Sequence, residues 1–438
     1  MHDLVRQLDE SSRRSFLAYA AKAALGVTLL PPAFVSGAPG DPTAPGTGPM
    51  MKKKALCDSV IFLYMRGGMS QIDTFDPKTD DATKGSTRPV ATKADGLQLS
   101  NLLPKLGEQA NDLSVIRSMT TRTGAHSQAS YVMHTGYRQR PGMTHPQLGS
   151  WSQHFLGKSH PVLPSSVVIS SGNPGPGFLP PDHSPLPIGD PNKGIKDLLP
   201  DVDKTRMDKR VNLARQFSSA FEYYFPHEDV KAYSDFYKQT VKFLSGDAAE
   251  PFDISKEPGN IRNQYGNHSF GQGCLLARRL VEKGVRYVEV KSRRNWDSMH
   301  GGTGQLNALA NELDGTVSAL MTDLRERGML ERTMIVITSE FGRTSKVKGN
   351  GGRDHHPNGF SCALAGGGIK GGQAIGATNE KGREPDPKFE PKDLHATIAT
   401  AEPAVAATPP GCRRQTTEAP PRPGEATGTQ TAPHQTTT

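Results

Sequence analysis

Residues Thr333 to Pro357 read TMIVITSEFGRTSKVKGNGGRDHHP, and this stretch decides the fold. Met334 to Ile337 is a short apolar, partly β-branched run of the kind that forms a fully buried strand. It breaks into polar residues at Glu340 and closes on Asp354, His355 and His356. Open α/β sheets bind their ligands just beyond the carboxyl ends of the strands, so a carboxylate and a histidine pair there predict a site.

The preceding residues extend the pattern. Val285 to Val290 predicts a second strand, followed by Asn295-Trp296-Asp297-Ser298-Met299-His300-Gly301-Gly302. A long helix comes next: Leu306, Leu309, Leu313, Val317, Leu320 and Leu324 form one apolar face, and Gly328 ends it. A strand, helix, strand unit of this kind is parallel, so Asp297 and His300 share a sheet edge with Glu340.

Further upstream, Val60 to Met65 predicts the first strand, ending in Arg66-Gly67-Gly68 with Asp73, or alternatively Asp76, just beyond it. Leu113 to Ile116, Pro164 to Ser170 and Phe360 to Ala365 are further strand candidates, and Gly271 to Lys283 a further helix. Ser127 to His134 fits a helix closed by Gly136. His126 or Ser127 then stands at free amide donors that suit a phosphate or sulfate, unless Ser127 is simply the cap. Asn173 to Asn192 reads as irregular loop, and Asp201 to Gly246 as an aromatic-rich helical insertion. The expected architecture is one α/β domain over 58–398 with a mostly parallel central sheet.

Three parallel strands thus end in possible metal ligands: Asp73, then Asp297 with His300, then Glu340 with Asp354, His355 and His356. Mixed carboxylate and imidazole donors suit a divalent metal such as Zn or Mn, as one ion or two. Each residue also has a plain structural use. Asp297 can cap a loop, His300 can sit satisfied in the core, Glu340 can pair with Arg343 or Arg353, and Asp354 can be a turn residue.

The chain has 438 residues and a net charge of +8, with no long basic run beyond Lys52 to Lys54. The clustered footprint of a nucleic-acid partner is missing. Cys57, Cys274, Cys362 and Cys412 have neither metal-type spacing nor the density of a disulfide framework. Ser12-Arg13-Arg14-Ser15-Phe16-Leu17, an apolar run to Leu30 and the small residues Ser36 to Ala38 read as a twin-arginine export signal over 1–38. The export machinery is then a transient partner, and the protein is expected in the periplasm or outside the cell. A linker over 39–57 follows, and from Ala399 the Ala, Pro, Thr and Gly composition predicts a disordered tail.

Four segments resemble an exported family called domain of unknown function 1501. They are Asn295-Trp296-Asp297 to His300-Gly301, Ser339-Glu340-Phe341-Gly342-Arg343-Thr344, Gly352-Arg353-Asp354-His355 and Ala365 to Gly372, and the likeness spans about Asp58 to Ile398. That family is similar in turn to the alkaline-phosphatase and sulfatase superfamily, which implies an alkaline-phosphatase-like three-layer sandwich. The resemblance implies metal binding by Asp73, by Asp297 and His300, and by His355 or His356. The superfamily's Asp-His pair falls on Glu340-Phe341. Phe341 cannot bind metal, so that position is lost or filled by Asp354. His126 falls on the cysteine that sulfatases convert to formylglycine, which leaves Ser127 or a metal-bound hydroxide as nucleophile.

The resemblance therefore implies an exported metal-dependent hydrolase of phosphate or sulfate monoesters, with His126 and Ser127 at the reacting centre. Its substrate would be a phosphorylated or sulfated small molecule or polysaccharide. The alternative is a non-catalytic binding or envelope protein that keeps the fold. The family continues beyond Ile398 with an apolar helix, and the abrupt change here is what a frameshift in the coding sequence would leave.

Overall fold

Ser59–Tyr64 and Thr333–Thr338 are buried at every position, so both faces of the sheet they belong to are covered. The structure is a computed structural model and describes residues 56–170, 175–195, 204–224, 243, 247–297 and 303–402. The signal over 1–38, most of the linker over 39–57, His300, most of 225–246 and the tail beyond Glu402 lie outside the described residues.

In chain order the strands that matter are β1 Ser59–Tyr64, β2 Leu113–Met119, β3 Ser166–Ile169, β4 Leu186–Ile188, β5 Tyr287–Lys291, β6 Thr333–Thr338, β7 Gly342–Arg343, β8 His355–His356, β9 Phe360–Gly366 and β10 Gln373–Ile375. All but β7 and β8 form one sheet in the order β10-β2-β9-β6-β1-β5-β3-β4. β1 pairs in parallel with both β5 and β6, and β9 alone runs against its neighbours β6 and β2. The expected mixed α/β architecture with a large, mostly parallel sheet is therefore present. β5 and β6 are not adjacent, because β1 lies between them.

Successive side chains of β1 point to opposite faces, and two cores result. Ile61 and Leu63 join Leu275, Leu276 and Leu280 of helix Ser269–Glu282 and Leu309, Leu313 and Val317 of helix Thr303–Glu326. Val60, Phe62 and Tyr64 join Met133 of α1 (His126–Thr135), Leu148 of α2 (Leu148–Leu156), and Leu394 and Ile398 of the final helix, Pro391–Ala401. Helices therefore cover both faces, giving three layers.

Asn173 to Asn192 is not wholly irregular, because β4 lies within it. Pro187 is tolerated there because β4 is the outermost strand, paired only with β3, and an edge position leaves its missing N–H without a required partner. Within the expected insertion, Lys204–Tyr224 is a helix. The final helix runs past Ile398 to Ala401, whose carbonyl accepts from the amides of Leu56 at 2.9 Å and Cys57 at 3.0 Å. Cys57, Cys274 and Cys362 are free and buried, and burial pushes the Cys57 and Cys362 thiols up to about 12. Among the described residues no helix is long and apolar enough to cross a membrane.

Candidate metal centre

β6 runs into Ser339 and Glu340 at the carboxyl edge of the sheet, directly beside the end of β1. Ser339 Oγ donates to the Met65 carbonyl at 2.6 Å and accepts from the Met69 amide at 2.9 Å, tying the two strand ends together. Glu340 is thereby fixed in a buried position, where its Oε1 accepts from the Gly67 amide at 2.8 Å. Gly67 has φ +103°, and a Cβ there would lie 1.7 Å from Asn295 Oδ1 and 2.5 Å from the Asp297 amide nitrogen. Only glycine lets the segment after β5 close against β1 at this point.

Asp297 arrives on that segment, held by a bond from the Trp296 amide to the Arg66 carbonyl at 2.8 Å. His355 arrives from the ribbon of β7 and β8, in which it stands opposite Arg343. His126 is the first residue of α1. The ligand atoms of His126, Asp297 and His355 all lie within 4.8 Å of one another.

Both imidazoles are oriented by their outer nitrogens. His126 Nδ1 is 2.8 Å from Glu340 Oε1, and His355 Nδ1 is 2.9 Å from the Gly124 carbonyl. Each Nδ1 faces an acceptor and so carries a proton, which turns each Nε2 inward; on loading, a metal would replace any proton there, as it does in metal-ligating histidines. His355 Nε2 lies 2.8 Å from Asp297 Oδ1. His126 Nε2 is buried without a hydrogen-bond partner, 3.5 Å from the same oxygen. A buried nitrogen with no partner, aimed at a carboxylate and a second imidazole, fits a metal ion. Two histidines and one carboxylate also leave further positions open, as catalytic sites require.

The charges around the set are coupled. The Glu340 hydrogen bond holds His126 above its ordinary value against the opposing effect of burial. Burial favours protonated Glu340, but His126 and the Gly67 amide hold it below the usual carboxylate range. Asp297 is partly buried, yet hydrogen bonds from Arg343 and His355 hold it well below that range. The Arg343 guanidinium is fully buried: Nη2 donates to Asp297 Oδ1 at 2.8 Å, Nε to the Gly68 carbonyl at 2.8 Å and Nη1 to the Arg353 carbonyl at 3.2 Å. Phe341, next to Glu340, is fully buried. Its ring packs 4.8 Å from His126 and 4.7 Å from His355, an apolar wall behind both imidazoles.

The remaining sequence candidates lie elsewhere. Asp73 is buried and forms a two-pronged pair with Arg353, Nε to Oδ2 at 2.8 Å and Nη2 to Oδ1 at 3.1 Å, with Ser70 Oγ donating at 2.6 Å. Asp76 accepts from Lys78 and Thr378. Asp354 is exposed and pairs with Lys348 at 2.5 Å. His356 alternates with His355 along β8, so it faces away and bonds the Arg383 carbonyl at 3.1 Å. Ser127 is exposed in the first turn of α1. Arg343 was a possible partner for Glu340 and instead pairs with Asp297, while the roles of the Gly67 amide and the Gly124 carbonyl had no sequence signal beyond the glycines themselves.

Residues 57–402 match the family described as "Protein of unknown function (DUF1501)". No curated protein matches the chain. Among solved structures, alkaline phosphatase from the Antarctic bacterium TAB5 is similar at 11% identity and a TM-score of 0.36, covering 79% of this chain and 98% of that one. The lipoteichoic acid synthase LtaP from Listeria monocytogenes is similar at 7% identity and a TM-score of 0.37, over 79% of this chain and 72% of that one. The PsFucS1 sulfatase from Pseudoalteromonas sp. is similar at 14% identity and a TM-score of 0.34, over 78% and 67%. At such identities and scores these likenesses carry nothing about chemistry.

Proposed function

The chain belongs to the DUF1501 family, and we propose that it is a metal-dependent hydrolase of phosphate or sulfate monoesters. The observation that carries this is the buried, unpartnered Nε2 of His126 beside Asp297 and His355. His126, Asp297 and His355 would hold a divalent ion, Zn or Mn. Such an ion polarises an ester oxygen and activates water or a hydroxyl at neutral pH.

The chain's own residues supply the rest. Glu340 and the Gly124 carbonyl fix the two imidazoles so that their inner nitrogens face one point. The first turn of α1 offers amide donors and positive potential to the anionic oxygens of the ester. Arg343 adds a fixed positive charge at Asp297, and Phe341 keeps water off the back of the set. Ser127, exposed in that first turn, is the candidate nucleophile alongside an activated water. Export through the twin-arginine route, with work in the periplasm or outside the cell, is part of the same proposal and rests on Arg13-Arg14 and the apolar run behind them.

One observation favours a non-catalytic binding protein instead. Asp297 is already satisfied by Arg343 and His355 from within the chain, which a purely structural ion cluster would also show. Metal content by plasma mass spectrometry separates the two, with Asp297→Ala, His355→Ala as control. Near-stoichiometric metal that the double variant loses, with turnover of aryl phosphate or aryl sulfate, is expected. A folded protein that takes up neither Zn nor Mn would sink the hydrolase.

A further inference from the structure

A cavity of about 770 Å³ opens along α1, beside the candidate metal centre. Thr123 and Gln128 line it and flank Gly124 and His126 in sequence, and Thr121, also in its lining, donates its hydroxyl to the Glu340 carbonyl at 2.9 Å. Its outer rim is the exposed segment 138–144, in which a turn is closed by the Met143 amide on the Arg140 carbonyl at 3.3 Å. Three arginines line the cavity. Arg122 is engaged by Glu390, whereas Arg138 and Arg140 form no ion pair with any described residue.

Unpaired guanidiniums on a concave wall are anion receptors, because the planar fork matches sulfate, phosphate and carboxylate oxygens. Gln128, Gln139 and Thr123 add neutral donors and acceptors suited to hydroxyl groups. Among the described residues no aromatic ring lines the cavity. The neighbouring Tyr137 ring is stacked on His145 at 4.6 Å and an interplanar angle of 7°, so one of its faces is taken. Single-stranded nucleic acids are gripped by stacking platforms, and none lines this cavity among the described residues.

We infer that this cavity is a second anion subsite, and that the substrate is an anionic polysaccharide carrying more than one charge rather than a small monoester. The inference rests on the hydrolase proposal: one charged ester sits at His126, Asp297 and His355 while the next charge along the polymer sits between Arg138 and Arg140.

The test is affinity electrophoresis of the full protein through gels cast with dextran sulfate, with neutral dextran and single-stranded DNA in parallel. Arg138→Ala, Arg140→Ala and the milder Arg140→Gln are compared with Lys370→Ala, Lys381→Ala, which removes the same charge from exposed sites elsewhere. The arginine pair should weaken dextran sulfate binding at least about tenfold with an unchanged melting temperature, and Arg140→Gln part of that. The lysine pair should weaken it less than about twofold. Equal losses in the two pairs, or tighter binding to DNA than to dextran sulfate, would overturn the subsite. Metal is measured on the same samples. Metal-loaded protein that turns over small esters without arginine-dependent polymer binding overturns this inference and leaves the hydrolase. Metal-free protein that still binds dextran sulfate through the arginines keeps the subsite and removes the hydrolase.

Discussion

Arg343 and His355 face each other across a two-residue antiparallel ribbon and meet at one atom: Arg343 Nη2 and His355 Nε2 are each 2.8 Å from Asp297 Oδ1. The same guanidinium serves the carbonyls of Gly67, Gly68 and Arg353, so one side chain locks three loops. Arg343→Lys keeps the charge but cannot reproduce the fork. It should destabilise the protein by about 2–4 kcal/mol in urea denaturation, through carbonyls left without donors. A change within about 0.5 kcal/mol, the ordinary range of a surface substitution, would show that these contacts are not held.

Glu340→Gln tests positioning apart from ligation. The amide oxygen of the substituted side chain would still accept from His126 Nδ1, but without the charge that raises the basicity of that ring. Metal affinity by equilibrium dialysis should fall about 10- to 100-fold while the metal-to-protein ratio at saturation stays the same. Unchanged affinity would remove Glu340 from the working site.

Gly67→Ala places a methyl group on Asn295 and on the Asp297 backbone, at φ +103°. Clash and backbone strain together should cost upwards of about 3 kcal/mol and lower the melting temperature by several degrees. Metal binding should be lost with it. A wild-type melt would mean that the segment bearing Asp297 does not close on β1.

Two buried groups at the C-terminal end of the described chain set opposite pH dependences. Burial drives the His395 imidazole down to about 4, so its folded state binds fewer protons than the unfolded chain. Stability should therefore fall as pH drops from about 6.5 through 4, by up to about 3 kcal/mol. His395→Gln, which keeps a donor to the Met133 carbonyl, should flatten that slope. Glu402 behaves the other way: burial raises it to about 6, so its share of stability is present below about 4.5 and lost as pH rises through 6. Glu402→Gln can still accept from Ser152 Oγ and should stabilise the protein at pH 8 by about 1–2 kcal/mol. Urea midpoints from pH 4 to 8 check both signs.

Strand positions were readable because buried parallel strands are short apolar runs: Val60 to Met65 and Met334 to Ile337 each fall within about a residue of β1 and β6. β4 was missed because its three residues include a proline and carry no alternation. At the site, His126, Asp297, His355, Glu340 and Arg343 were all named, but which of them meet was not, since ion pairing joins residues far apart in sequence. Arg353, one possible partner for Glu340, instead holds Asp73. Glu340 found His126. Residue type predicted which groups carry charge, and only the three-dimensional register of the strand ends decided which charges meet.

The order of the strands across the sheet bears on assembly in time. β1 must pair with β6, whose residues follow it by some 274 positions, before Glu340 and Gly67 can meet, and His126 and Glu340 are themselves 214 positions apart. Contacts of such long range close late in folding. Among the described residues the candidate metal cluster joins His126, Asp297 and His355, so loading of the proposed metal would follow sheet closure rather than guide it. If the proposed hydrolase is exported folded, its ion would therefore be chosen in the compartment where the final strand is seated.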